Sequence, residues 1–135
     1  MSLQKITLAL IALIVPLSLV AGEPVKLREI DAKGIKVDFA KGRVGIPKLI
    51  ANADELDKLI PDTQAIKKQV DFSKEKLVLF AWGGSGQDQL SAKLSDDGKA
   101  ATFSYTAGRT RDFRHHVHLF VLPKNTQYKI EGVAK

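Results

Sequence analysis

The chain contains no cysteine. That removes disulfides, thiolate metal sites and cysteine nucleophiles at once, so the fold must be held by its own core. Histidine is scarce as well, with three residues among 135. A phosphate-binding G-x-x-x-x-G-K-[ST] motif, a low-complexity segment and an internal repeat array are also lacking. The longest apolar stretch, Ile6–Val20, holds Pro16 and Ser18 and is too short to span a bilayer comfortably.

What that stretch does resemble is an export signal. Lys5 supplies a positive start, Ile6–Val15 an apolar run broken only by Thr7, and Val20-Ala21-Gly22 small residues for cleavage. The expected organisation is therefore a signal peptide over 1–22 and a single domain over 23–135. The mature chain is expected to be secreted or periplasmic, without a stable membrane anchor. No cysteine follows the leader, so lipoprotein attachment is not expected.

Charge is basic but scattered, 21 Lys and Arg against 15 Asp and Glu. The densest groups, Lys67-Lys68 and Arg109/Arg111/Arg114, are not runs with interleaved aromatics of the kind that track nucleic acid, Phe113 alone standing among the arginines. A solvated basic surface is the expectation, with no nucleic-acid partner.

The organising stretch is Lys76–Asp88, KLVLFAWGGSGQD. Leu77–Trp82 is a continuous apolar run, as expected of a strand buried on both faces. Gly83, Gly84 and Gly86 are expected to end it, and the alternation of Leu90, Ala92 and Leu94 with polar residues suggests its hairpin partner. Upstream, Val25 and Leu27 suggest a short edge strand, and Ile35, Val37 and Phe39 alternate as a half-buried strand. Val44–Ile50 contains Pro47, which confines it to an edge. Asn52 with Glu55 three residues on reads as a helix start, and Leu56, Leu59 and Ile60 give one apolar stripe before Pro61. Asp62 is placed to cap a second short turn carrying Ile66.

Downstream, Asp96-Asp97-Gly98 is a tight-turn signal between Leu90–Leu94 and Ala101–Tyr105. Phe113–Leu122 is the longest strand candidate, closed by Pro123, and Tyr128 and Ile130 mark a last strand. The predicted fold class is α+β: one domain, a mainly antiparallel sheet of about seven strands, hairpins meandering through the C-terminal half, and one or two short covering helices.

The order of motifs from Val70 to Ile130 resembles the C-terminal domain of the protease-complex subunit PrcB and related small exported bacterial proteins. It comprises a VDF-S-K-E lead-in, an apolar strand, a GGSG loop, D-x-L-S-A, a DDG turn and a strand ending in LPK. The loop departs from that family's T-G-G-Y-like pattern, reading Gly84-Ser85-Gly86-Gln87-Asp88 here. The resemblance implies a non-enzymatic accessory or interaction module and transfers no catalytic residue.

The sharpest chemical pattern is Phe113-Arg114-His115-His116-Val117-His118. Strand alternation puts Arg114, His116 and His118 on one face and Phe113, His115 and Val117 on the other. Two imidazoles on one strand face can share a Zn or Cu ion, with Asp88, Asp112 or Glu131 as candidate third ligands. The competing reading makes His116 and His118 polar residues on a solvent face and His115 a histidine near the core. Gly83–Gln87 lacks the second glycine of a G-x-S-x-G nucleophile elbow, and no helix follows. Its glycines suit a tight reversal better than an anion cradle. Asp96 and Asp97 read as exposed turn residues.

The sequence therefore predicts no catalytic residue and no resident cofactor. It predicts an exported, non-enzymatic binding or accessory module of the cell envelope that contacts a protein partner. The candidate contact surface is Trp82, Gly84, Ser85, Arg111 and Arg114. The alternative is an exported metal-binding protein built on His116 and His118.

Overall fold

The computed structural model describes residues 27–37 and 44–133. The predicted leader, its cleavage site, Val25 and Phe39 lie outside them. The described chain runs β1 (Arg28–Ile30), β2 (Lys48–Ile50), α1 (Ala53–Leu59), α2 (Gln64–Lys67), β3 (Glu75–Ser85), β4 (Gln89–Leu94), β5 (Ala100–Thr106), β6 (Phe113–Pro123) and β7 (Gln127–Glu131).

β3 and β6 form the spine. They pair antiparallel along their whole lengths, from Glu75 opposite Pro123 to Ser85 opposite Phe113. β1 flanks β6 and β2 flanks β3, giving the sheet order β1-β6-β3-β2. The predicted edge position of the Pro47 segment is found, in β2. A second sheet has the order β4-β5-β7. Its β4–β5 hairpin turns at Asp96–Gly98, with Gly98 at φ 71°. Because β6 returns to the first sheet between them, β5 and β7 run parallel.

β3 is buried on both faces because alternate residues feed two separate cores. Leu77 and Leu79 join Leu119, Val121, Ile30 and Ile50 beneath Leu56, Ile60 and Ile66 of the helical segment. Val78, Phe80 and Trp82 join Phe120 and Leu122 against Ala101 and Phe103 of the second sheet. A continuous apolar run is what such a two-faced strand requires. Phe80 lies 4.8 Å from Phe103 and 5.9 Å from Phe120, centroid to centroid, in tilted and edge-on contacts.

α1 begins as expected. The Asn52 side chain accepts from the Glu55 N–H at 2.9 Å, and the Glu55 carboxylate accepts from the Ala51 N–H at 2.8 Å. This reciprocal pairing satisfies donors the helix cannot use internally. α2 differs: Thr63, not Asp62, occupies its cap position, without a side-chain cap bond, and Asp62 sits at φ 56°.

Three further expectations are corrected. β3 does not stop at Gly83 but continues through Ser85, because the eleven-residue β6 supplies pairing partners that far. β4 is not its hairpin partner; it pairs with β5 in the other sheet. Ile35–Val37 is not a strand, since Gly34 at φ 84° and the Ile35 N–H to Ala32 C=O bond of 3.0 Å form a turn there.

Candidate functional site

The site-like residues gather at one end of the spine, where the β3–β4 loop and the β5–β6 loop meet. Asp88 is their hub. Its Oδ2 accepts from the Trp82 indole N–H at 3.0 Å and its Oδ1 from the Gly108 N–H at 2.7 Å. The Tyr105 hydroxyl bonds the same carboxylate. Burial pushes the Asp88 carboxyl up, but these three donors and the nearby His116 outweigh it and hold it below the usual aspartate range. Burial, followed by the Asp88 bond and charge, raises the Tyr105 phenol.

Gly108 is required by close approach. A Cβ there would lie 2.5 Å from the Gln87 carbonyl carbon and 2.7 Å from the Asp88 nitrogen. The two loops are further tied by Ser85 Oγ to Thr110 Oγ1 at 2.6 Å and by the Gly86 N–H to Asp112 at 3.2 Å.

His116 and His118 do not face solvent as isolated polar residues. Both stack on Trp82, at 4.8 Å and 5.5 Å with planes 16° apart in each case. The reason is that Phe120 and Leu122 share their strand face, so that face is the inter-sheet side. His116 Nε2 donates to the Ser85 carbonyl at 2.7 Å, and His118 Nδ1 donates to the Glu29 carboxylate at 2.6 Å. In their neutral forms the lone pairs then fall on His116 Nδ1 and His118 Nε2. Among the described residues, no group of three or more His, Asp or Glu is placed to hold a metal ion. Asp88, Asp112 and Glu131, the candidate third ligands, do not complete one: Asp88 serves Trp82 and Gly108, Asp112 pairs with Arg114 at 3.4 Å, and Glu131 pairs with Lys129 at 3.1 Å.

The candidate contact surface divides. Trp82 is 3% exposed and belongs to the inter-sheet core, so it offers no surface to a partner. Gly84 and Ser85 are half-buried, while Arg111 and Arg114 are exposed. His115, expected near the core, is exposed, with its ring 5.1 Å from that of Phe113 in an edge contact. Phe113 itself, placed by alternation on the apolar face, is 69% exposed. Its ring lies over Gly83, where a Cβ would come within 2.3 Å of Phe113 Cζ.

Ser85 is not arranged as a nucleophile. His116 bonds its carbonyl oxygen, while its hydroxyl bonds Thr110; a general base must reach the hydroxyl itself.

The sequence does not reveal two features of this end. One is the Asp88 hub, which depends on a loop-to-loop approach with no local signature. The other is the reach of the spine. β1 covers β6 only at Leu119–Val121, and β2 covers β3 only at Leu77–Leu79. Among the described residues, no strand pairs with the outer edges of Phe113–His118 or Phe80–Ser85. The two strands thus run on together as a ribbon of about 20 Å at roughly 3.3 Å per residue. Beside the β6 edge lies a cleft of about 660 Å³ walled by residues of 29–35 with His115 and Val117.

Comparison of the chain with models of protein families, with curated proteins and with solved structures finds no match.

Proposed function

We propose that this chain is an exported, non-enzymatic binding or accessory module of the cell envelope that acts through protein–protein contacts. The observation that carries this reading is the β3–β6 ribbon, which extends past its flanking strands and presents Phe113 at 69% exposure in an otherwise well-buried set of strand aromatics. Strand edges and exposed aromatics with arginines alongside are features of recognition surfaces. The motif likeness of Val70–Ile130 to the accessory domain of PrcB is the sequence-level part of the reading, and the leader pattern is its basis for export.

Incorporation of a benzoylphenylalanine photo-cross-linker at position 113, in cells exporting the chain, tests it. An adduct to a discrete protein is expected at 113 and not at Lys58, an exposed position on α1. Absence of a protein adduct, or equal labelling from both positions, refutes it. Intact mass of the exported form should begin near Glu23, and retention of Met1–Ala21 would remove the export component.

A second reading has one observation in its favour. His116 and His118 are each held through one ring nitrogen by a carbonyl or carboxylate, as metal-ligating histidines are. Titration with Zn²⁺ and Cu²⁺, followed through the single tryptophan Trp82, separates the two. A response abolished only when both histidines are replaced would establish metal binding.

A further inference from the structure

The end of the spine away from the Asp88 hub gathers lysines. Lys76 lies near the start of β3, and Lys124 follows directly on β6. Lys76 stands opposite Leu122, on the face of β3 that carries Val78, Phe80 and Trp82. That face is otherwise the apolar inter-sheet side, so the Lys76 stem continues the core to its rim. At the rim lies a cleft of about 450 Å³ walled by Lys76 and residues 124–128.

The cleft is held in place by its own backbone. The Lys124 N–H donates to the Lys74 carbonyl at 2.8 Å, and the Gln127 N–H to the Lys99 carbonyl at 2.9 Å. Thr126 is 1% exposed, and its hydroxyl donates to the Gly98 carbonyl at 2.6 Å. The turn between β6 and β7 is thus tied to both β3 and the β4–β5 hairpin. A wall fixed in this way loses little further freedom when a ligand arrives.

Charge selects the ligand. Arg28, Lys67, Arg114 and Lys129 are each paired with a carboxylate. Among the described residues, Lys76 and Lys124 form no ion pair. Burial pushes the Lys76 amine below the ordinary lysine range. An anion in the cleft would relieve that penalty and the repulsion between the two lysines together. The side-chain amides of Asn125 and Gln127 and the Tyr128 hydroxyl, which also line it, are donors to oxygen. A carboxylate would bring one charge against two cations, whereas a phosphate group brings up to two and several acceptor oxygens. An apolar segment would desolvate both ammoniums with nothing in return.

We propose that the cleft between Lys76 and the 124–128 turn binds a phosphate group, carried by a soluble phosphate ester or by the headgroup of an anionic lipid. The site lies apart from the Phe113 end of the spine and stands whether or not the module reading holds.

Glycerol phosphate is the soluble probe, with sodium chloride at matched ionic strength and phosphatidylglycerol vesicles as the other arms. Glycerol phosphate at about 10 mM or below should shift the backbone amide resonances of Lys76 and 124–128. The Lys76 ammonium should titrate at higher pH with the probe bound, because an adjacent anion favours the charged form. Chloride should do neither. Lys76→Met, which keeps the apolar stem, and Lys124→Gln should each weaken binding at least about tenfold. Lys58→Gln, at an exposed position on α1, should leave it unchanged. Lys124 is exposed, so Lys124→Gln should keep the parental melting temperature even if Lys76→Met does not. Vesicle binding that needs both lysines and is displaced by glycerol phosphate would assign the phosphate to a headgroup; glycerol phosphate binding without vesicle binding would assign it to a soluble ester. The proposal is overturned by no binding of either probe, by equal shifts with chloride, by binding that survives both lysine changes, or by shifts that map away from the cleft.

Discussion

Replacing Asp88 tests the loop hub quantitatively, and Asp88→Asn is the informative change. Both carboxylate oxygens accept, Oδ2 from the Trp82 indole and Oδ1 from Gly108. An asparagine offers one acceptor oxygen and turns its NH₂ toward the other donor. It can therefore satisfy only one of the two. Stranding the indole N–H of Trp82, which is 3% exposed, costs about 1–3 kcal/mol. Losing the half-buried Gly108 bond adds about 0.5–1.5 kcal/mol. Asp88→Ala, which loses both, should thus cost about 2–4 kcal/mol, and Asp88→Asn, which keeps one, about 1–3 kcal/mol, against a total of about 5–15 kcal/mol. For a domain of this size the melting temperature should fall by roughly 10 °C. Trp82 is the single tryptophan, so its emission reports the loss of this environment directly. The folded-state Asp88 carboxyl is held low. Its stabilisation is accordingly present above the unfolded aspartate value of about 3.9 and is lost as pH falls through the lower folded value. Below about pH 4 the Asp88→Asn protein should lose stability less steeply than the parent. An Asp88→Asn protein with parental stability and an unchanged acid slope would refute the hub.

Leu79 is 1% exposed between β2 and β6, so Leu79→Asp buries a charge without a partner and should abolish cooperative thermal unfolding at neutral pH. Gly108→Ala places a methyl against backbone that cannot swing aside and should cost about 1–3 kcal/mol in denaturant titration. Micromolar Zn²⁺ should leave the melting temperature unchanged under the module reading. A stabilisation approaching about 2.7 kcal/mol at a hundredfold excess over Kd, requiring both His116 and His118, would instead install the metal reading.

The sequence made the spine legible because β3 is two-faced. Leu77–Trp82 had to be apolar throughout to feed both cores. The α1 start was equally legible, since Asn52 and Glu55 act within four residues of each other. Sheet membership was not. The alternation of Leu90, Ala92 and Leu94 specifies a face to bury but not whose strand it joins, and β4 joined β5. The histidine face was misread for a related reason. Arg114, His116 and His118 are polar, yet Phe120 and Leu122 continue the same side into the inter-sheet core. Position along β6 therefore decides each residue's fate: Phe113 and His115 lie beyond the described helices' reach and are exposed, although Leu119 and Val121 on their face are buried. The β6 edge became visible only once the pairing of β1 was known, because a strand's length does not reveal how far its neighbours accompany it.

Amide hydrogen exchange of the purified protein, read residue by residue along β6, tests most directly how far its flanking strand accompanies it. Leu119–Val121 lies between β1 and β3 and should be protected throughout. From Phe113 to Val117, where β3 pairs from one side only, protection should alternate, with slow amides pointing to β3 and fast amides pointing outward. Uniform slow exchange over 113–117 would mean that the edge is already occupied, and would contradict the account.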